Sequence, residues 1–352
     1  MRLKGKMPIV PVFDVQVHPR DDDLIVGTHG RGVFILDDVS PLAALDRDTL
    51  AADVRLFDAR PASEYRVYNH KGNTGHKEFL APNPADGVII TYALKSKPAD
   101  KDDVKIVVTD AAGATVRELK GAKEAGLNRA SWDLRHEPPV KREPGEPGEG
   151  FFGPPRGPFV PPGTYKVTVS VGSVSDTRPV LVQEDPRIQI SDADRRAWYE
   201  AARKGAQLWG RADAVNRAAA SLKKQLGELQ QAAAKHDPKP PEAVTAAVKA
   251  AVDKANALAL RMSRQEPLGF AGAPLEDDPD PLLARARSVY LAVGFMSAAP
   301  TTQQQQSLDE VARQVDEAAK EANVLVAEDV PALNRLLSDN GMGRIEAGKP
   351  VE

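Results

Sequence analysis

The chain has 352 residues, 28% of them charged, with a formal net charge of −3 and no cysteine. The nearly balanced charge gives no electrostatic reason to expect a nucleic-acid or membrane partner, and the lack of cysteine excludes disulfides, thiolate metal ligands and cysteine nucleophiles. With 41% of its residues apolar, the chain can bury cores for two or three domains. No uninterrupted apolar run reaches the roughly 18 residues of a membrane-spanning helix.

The first 40 residues are predicted to form three short strands. Val12–Val17 alternates apolar and polar positions, and short apolar runs follow at 24–26 and Val33–Leu36. Two aspartates and a glycine-rich segment supply the turns between them. Three such strands are too few to bury a core of their own. This segment is therefore expected to need a neighbouring domain or further chain.

Residues 41–62 show no clear pattern and are predicted to be a linker or a short helix. The strand signal then returns in short apolar runs separated by Asp, Gly and Pro residues. About seven short strands at regular spacing predict an antiparallel β-sandwich of immunoglobulin type over residues 63–187. Strand alternation turns Trp132 and Leu134 inward, which favours a core role over carbohydrate stacking. The clearest candidate strands are 88–94, 104–108, 116–119, 128–134, 163–171 and 178–182.

A segment rich in proline and glycine, residues 138–162, interrupts the strands and predicts an extended, partly mobile loop. It contains Phe151, Phe152 and Phe159, and exposed aromatic side chains on a loop are candidates for binding a ligand. The alternative is that the rings fold back to cover the sandwich or the helices. The sequence favours neither interpretation.

After residue 187 the pattern changes to helical spacing. Ser191 followed by Asp194 predicts the N-cap of a long helix, and its apolar seam repeats every three or four residues. Three further helices with similar seams and a short final one near 330–337 follow, so residues 188–352 are predicted to be an antiparallel helical bundle. The seam of the first helix is Trp198, Ala201, Gly205, Leu208, Ala212, Val215, Ala219, Leu222, Leu226, Leu229 and Ala233.

Several short motifs resemble one group of proteins. VHPRD at 17–21, DLIVGTHGRG at 23–32 and FILDD at 34–38 resemble the last blade of bacterial β-propeller proteins with sialidase-type (BNR or Asp-box) repeats, which are related to sortilin-type propellers. WDLR at 132–135 and PGTY at 162–165 are similar to the sandwich that follows the propeller in this group, and DVPALN at 329–334 resembles its C-terminal end. The resemblance implies that residues 1–40 are a remnant of the terminal blade.

The resemblance also implies a function and partners. The expected role is a non-catalytic structural or interaction region of a larger propeller protein, which supports protein or glycan binding. The rest of the propeller, on the same or a separate chain, is its expected partner. The alternative is the accessory region of a sialidase-like glycoside hydrolase whose catalytic residues lie upstream, since the pattern Ser-x-Asp-x-Gly-x-Thr-Trp does not occur here. The whole propeller protein is expected to be extracytoplasmic. No export signal is visible in this sequence, so Met1 is expected to be an internal start.

His29 and Arg31 are candidate ligand-binding residues, because a glycine-rich turn could hold them toward an anionic ligand. The competing interpretation, which turn chemistry favours, is that the glycines allow a tight bend and both side chains serve local geometry. The spacing is not that of a nucleotide-binding loop, and no helix follows it. The six histidines are scattered without zinc-binding spacing. The acidic groups at residues 21–23 and 37–38 are typical of turns. No catalytic residue, metal or cofactor is predicted.

Overall fold

A computed structural model describes residues 7–65, 77, 81, 83–141, 154–236, 238–263, 281–295 and 297–351. The chain divides into two compact units. The first unit comprises Met1–Glu137 and Phe159–Ile188, and the second comprises Pro138–Pro158 and Gln189–Glu352. Within the described residues every strand belongs to the first unit and every long helix to the second. The expected combination of β structure followed by α structure is confirmed.

The first unit begins with three strands, β1 (Val12–Val17), β2 (Leu24–Thr28) and β3 (Val33–Leu36). They form an antiparallel sheet in the order β1-β2-β3, so the three strands predicted from the apolar runs are confirmed. A bulge shifts the register of β1 between Val12 and Asp14.

Residues 41–62, predicted to be a linker or a short helix, contain short helices and also two short strands that were not predicted. The backbone N–H of Thr49 donates a hydrogen bond to the Asp46 carboxylate at 2.7 Å, which caps a short helix. Val54 and Leu56 are buried in a strand that has only three residues, too few to show alternation in the sequence. The elements are α1 (Ser40–Ala43), α2 (Arg47–Ala51), β4 (Val54–Leu56) and β5 (Ala62–Ser63).

Six longer strands complete the first unit: β6 (Val88–Leu94), β7 (Val104–Thr109), β8 (Thr115–Lys120), β9 (Gly126–Trp132), β10 (Gly163–Val171) and β11 (Val174–Gln183). They build a five-stranded sheet in the order β5-β11-β10-β7-β8 and a three-stranded sheet in the order β4-β6-β9. All strand pairs are antiparallel except β5 with β11, which is parallel.

These two sheets share a core. The ring of Trp132 on β9 lies 5.3 Å from that of Tyr165 on β10, in an edge-to-face arrangement. The backbone N–H of Leu56 on β4 donates to Asp176 on β11 at 2.9 Å. Trp132 and Leu134 are both buried, as predicted. Leu134 lies beyond the end of β9 and has a φ of 57°, so strand alternation is not the reason for its burial.

The second unit is built from α3 (Asp192–Lys235), α4 (Glu242–Met262), α5 (Leu282–Gly294), α6 (Thr302–Val324), a π-helical segment (Leu325–Asp329) and α7 (Val330–Asp339). The N–H of Asp194 donates to the Ser191 hydroxyl at 3.1 Å, which confirms the predicted cap of α3. Every residue of the predicted α3 seam is buried, and α3 packs against α4, α5 and α6. No helix within the described ranges is long and apolar enough to cross a lipid bilayer.

The apolar spacing predicts that the seam of α5 is Leu282, Ala286, Val289, Val293 and Met296, and the structure differs at one position. Val289 is half-buried and the neighbouring Tyr290 is buried in its place; Met296, also expected in this seam, lies outside the described residues. The Tyr290 hydroxyl donates to the backbone oxygen of Arg156 at 2.7 Å. This bond satisfies the polar end of the ring, so the large side chain can occupy a core position.

The proline-rich segment is described at residues 138–141 and 154–162. Val140 is buried within the second unit. Arg217 on α3 donates to the backbone oxygen of Lys141 at 2.9 Å, and a Cβ at Gly210 would lie only 2.8 Å from the Pro139 oxygen. The start of this segment is therefore packed closely against α3.

Candidate functional site

The sheet β1–β3 exposes apolar side chains that a self-sufficient domain would bury. Val15 pairs with Val26, and Val26 pairs with Phe34 on the far strand. Residues that pair across antiparallel strands point to the same side of the sheet, so this register defines one surface, the first face. Its members are Val15, Val17, Leu24, Val26, Phe34 and Leu36. Val15 is 55% exposed and Val17 is 53% exposed.

The opposite side of the same sheet, the second face, carries exposed aliphatic residues on β3 and the polar Asp14 and Gln16 on β1. Ile25 pairs with Ile35, and Gly27 pairs with Val33. Val33 is 65% exposed and Ile35 is 60% exposed. A sheet that faces water on one side shows polar residues there, whereas this one carries exposed aliphatic residues on both sides. Exposed aliphatic side chains therefore lie on both faces, while the polar residues of the second face lie on the edge strand β1.

A group of charged residues, the aspartate anchor (Asp23, Asp38, Arg60 and Arg129), attaches the end of β3 to the rest of the first unit. Arg129 on β9 donates one hydrogen bond to the backbone oxygen of Asp37 at 2.6 Å and a second to that of Asp38. Arg60 lies 3.9 Å from the Asp38 carboxylate and 4.0 Å from that of Asp23. One arginine thus faces two carboxylates.

Asp38 is the centre of this anchor. Its side chain is buried and accepts from the Ser40 hydroxyl at 2.6 Å, and its backbone N–H donates to Asp23 at 2.9 Å. Its φ of 49° lies in the left-handed region, which aspartate tolerates better than most residues. The arrangement therefore fixes a turn, in agreement with the interpretation of the acidic pairs as turn residues.

His29 and Arg31 lie in the turn between β2 and β3, and both are exposed. The Thr28 hydroxyl donates to the Gly32 oxygen at 2.7 Å, while Gly30 and Gly32 have φ values of 75° and 82°. The glycines thus form the bend. The His29 ring stacks at 4.9 Å on that of Phe13, and a ligand-binding role for His29 and Arg31 stays a prediction.

The aromatic candidates of the proline-rich segment have separate outcomes. Phe159 is buried, and the guanidinium carbon of Arg135 lies 3.5 Å from its ring centroid. The ring is therefore covered, as in the fold-back alternative, and it is not an exposed contact for a ligand. Phe151 and Phe152 lie outside the described residues.

The structure holds Phe159 and the pair His29 and Arg31 in separate local environments, since Phe159 packs on Arg135 and His29 packs on Phe13. The sequence did not predict the aspartate anchor, although the acidic runs that contain Asp23 and Asp38 are visible in it. In the part of the chain that the structure describes, no group of three histidine, aspartate or glutamate side chains lies close enough together to hold a metal ion.

Comparisons with known proteins give no family for this chain. No family model, no curated protein and no solved structure matched it. The resemblance to sialidase-type propeller proteins therefore rests on the sequence motifs alone.

Proposed function

We propose that this chain is a non-catalytic structural and interaction region of a larger β-propeller protein. In this proposal β1–β3 belongs to the terminal blade, while an immunoglobulin-like sandwich and a helical bundle support the propeller and its binding of a protein or a glycan. The remaining blades are on the same chain or on a separate one. The observation that carries the proposal is the exposure of aliphatic side chains on both faces of β1–β3.

The physical argument is that propeller blades are sheets arranged around a central channel, so each blade packs against a neighbour on either side. A blade needs apolar residues on both faces, and β1–β3 has them at Val15, Val17, Val33 and Ile35. A blade usually has four strands, whereas the described residues contribute three to this sheet. Its edge strands therefore offer unpaired backbone groups to one more strand.

The sandwich part of the proposal is supported by the two sheets that share the Trp132 and Tyr165 contact. A buried tryptophan between two sheets, with short strands and tight turns, is typical of immunoglobulin-like domains. The aspartate anchor adds support, because the bonds from Arg129 to the backbone of residues 37 and 38 would hold the blade strands in a fixed position on this domain.

The proposal predicts that the uncovered faces make the isolated chain self-associate. We expect sedimentation velocity to show concentration-dependent association of the wild type, and a monomer for the double variant Val15→Lys, Ile35→Lys. Both side chains are more than half exposed, so the double variant should unfold thermally within a few degrees of the wild type.

The matched control is Val174→Lys. Val174 is a partly exposed apolar residue on β11, and its replacement should leave the association unchanged. A wild-type chain that stays monomeric up to millimolar concentration would contradict the proposal, as would equal effects of the control and the double variant.

A further inference from the structure

The segment that follows α7, residues 343–351, has no regular secondary structure, yet its backbone is held at defined points. The side-chain amide of Asn334 on α7 donates to the Ile345 oxygen at 2.9 Å and accepts from the Ile345 N–H at 3.0 Å. The amide of Gln225 on α3 donates to the Glu346 oxygen at 3.2 Å and accepts from the Glu346 N–H at 2.8 Å.

A third amide makes the same pair of bonds. Asn323 on α6 donates to the Val351 oxygen at 2.9 Å and accepts from the Val351 N–H at 2.7 Å. Three side chains from three helices therefore each hold both backbone polar groups of one residue. We call Gln225, Asn323 and Asn334 the amide clamp.

The paired bonds determine the shape of the bound segment. A carboxamide presents a donor and an acceptor side by side, as does the backbone of a neighbouring strand. Only a residue whose N–H and C=O point the same way, as in an extended chain, can bond to both. Successive residues of an extended chain direct these groups to opposite sides, so Asn334 and Gln225 reach Ile345 and Glu346 from opposite sides.

Side-chain burial adds two apolar contacts to the clamp. Val351 is buried and Ile345 is half-buried, whereas Glu346, Lys349 and Pro350 are exposed. Most of the recognition is therefore of the backbone, and the two β-branched side chains, six residues apart, add selectivity. Gly348, between them, has a φ of 77°, a conformation that favours glycine, so the segment is not extended at this residue. Recognition of extended peptides by other proteins divides the work in the same way.

The junction with α7 lets the segment leave without unfolding the helix. α7 ends at a bond from the Met342 N–H to the Leu337 oxygen of 2.9 Å, with Gly341 at a φ of 70°. This is the closure of a helix by a left-handed glycine. Since the closing bonds precede residue 343, the helix stays capped whether or not the segment is bound.

We propose that the amide clamp lines a binding groove for a polypeptide that is extended at the residues it holds, and that residues 343–351 are its intramolecular ligand. The partner is a segment of another protein with Ile or Val at two positions six apart and glycine three residues after the first of them, and it displaces residues 343–351. This proposal concerns the second unit alone and does not depend on the proposed function of the chain.

The test starts from the full chain, so that the helices fold with the segment in place. A protease recognition site is inserted between Met342 and Gly343, the protein is cut, and a fluorescent peptide of residues 343–352 is titrated with anisotropy as the readout. We expect saturable exchange with a Kd on the order of micromolar. N-methylation at Ile345 removes one donor and should weaken binding by about tenfold.

The matched control is N-methylation at Ala347, whose N–H makes no hydrogen bond to the described residues; it should bind like the unmodified peptide. A cut protein that keeps its helical circular dichroism but binds no peptide would overturn the proposal. Equal binding of the two methylated peptides would overturn it as well.

If cutting unfolds the protein, hydrogen exchange on the uncut chain decides. The proposal expects slowed exchange at the N–H groups of Ile345, Glu346 and Val351, with Asn323→Leu releasing Val351 alone. Exchange at random-coil rates for all three in the wild type would overturn it.

Discussion

Replacing Arg129 with alanine should loosen the sheet β1–β3 and leave the core sheets intact. The guanidinium donates to the backbone oxygens of Asp37 and Asp38, and the substitution removes both bonds. The residues of β1 are all exposed, so little apolar burial holds this sheet in place. The loss should therefore appear as local opening of the sheet and not as unfolding of the whole unit.

The magnitude follows from the two bonds. A hydrogen bond from a charged donor contributes about 1.5–3 kcal/mol, and the exposed position of Arg129 places the expected total at about 1–3 kcal/mol, since water competes for both partners. This corresponds to exchange roughly 5- to 150-fold faster. Hydrogen exchange with mass spectrometry should show this acceleration at β2 and β3, with unchanged rates at β6 and β10.

The control variant is Arg55→Ala on β4. The Arg55 guanidinium is partly exposed and lies 4.0 Å from Asp176, so its removal should leave β2 and β3 unaffected. The reasoning is refuted if Arg129→Ala changes nothing at β2 and β3. It is equally refuted if β6 and β10 accelerate by the same factor, because the sheet would then unfold together with the core.

Gly87→Ala should abolish or severely reduce thermal stability, because the φ of Gly87 is 85° and a Cβ there would lie 2.0 Å from the Trp132 backbone oxygen. The control Gly113→Ala has a φ of 84° but no atom within 4 Å of the added Cβ, so it should lower the free energy of unfolding by only about 1 kcal/mol. Similar melting temperatures for the two variants would contradict this. Burial raises the pKa of Tyr92 to about 12, while its hydroxyl donates to the Ala122 oxygen at 2.6 Å. Because the folded chain holds this proton more tightly, stability should fall as the pH rises from about 10, the ordinary tyrosine pKa, toward 12, and Tyr92→Phe should reduce that fall; an unchanged slope in denaturation against pH would count against it. The purified chain should hydrolyse no member of a panel of aryl glycosides, and any turnover above a heat-treated control would contradict the non-catalytic proposal.

The buried seam of α3 could be predicted residue by residue. The α3 seam spans about ten turns of one period, so chance alternation averages out, and a capping serine marks the start of the helix. Strands β6 and β10 match the predicted ranges because apolar alternation and flanking turn residues agree there. Tyr290 escaped prediction, since the bond from its hydroxyl to Arg156 that permits burial is not visible in a periodic pattern.

The features that carry the proposals depend on distant pairs. Arg129 is 92 residues from Asp37, and Gln225 is 121 residues from Glu346. No local pattern links such positions, and an amide on a helix surface is normally expected to face solvent. The exposed faces of β1–β3 were partly predictable, because three short apolar strands cannot cover one another.

The proposed function requires that β1–β3 belongs to the terminal blade of a propeller whose other blades lie on the same chain or on a separate one. The most direct test is to read the coding DNA upstream of Met1 in frame for several hundred codons. The proposed function predicts an open reading frame that encodes repeats with the Ser-x-Asp-x-Gly-x-Thr-Trp pattern. A stop codon and a ribosome-binding site immediately before Met1, with no propeller chain encoded beside it, would contradict the claim.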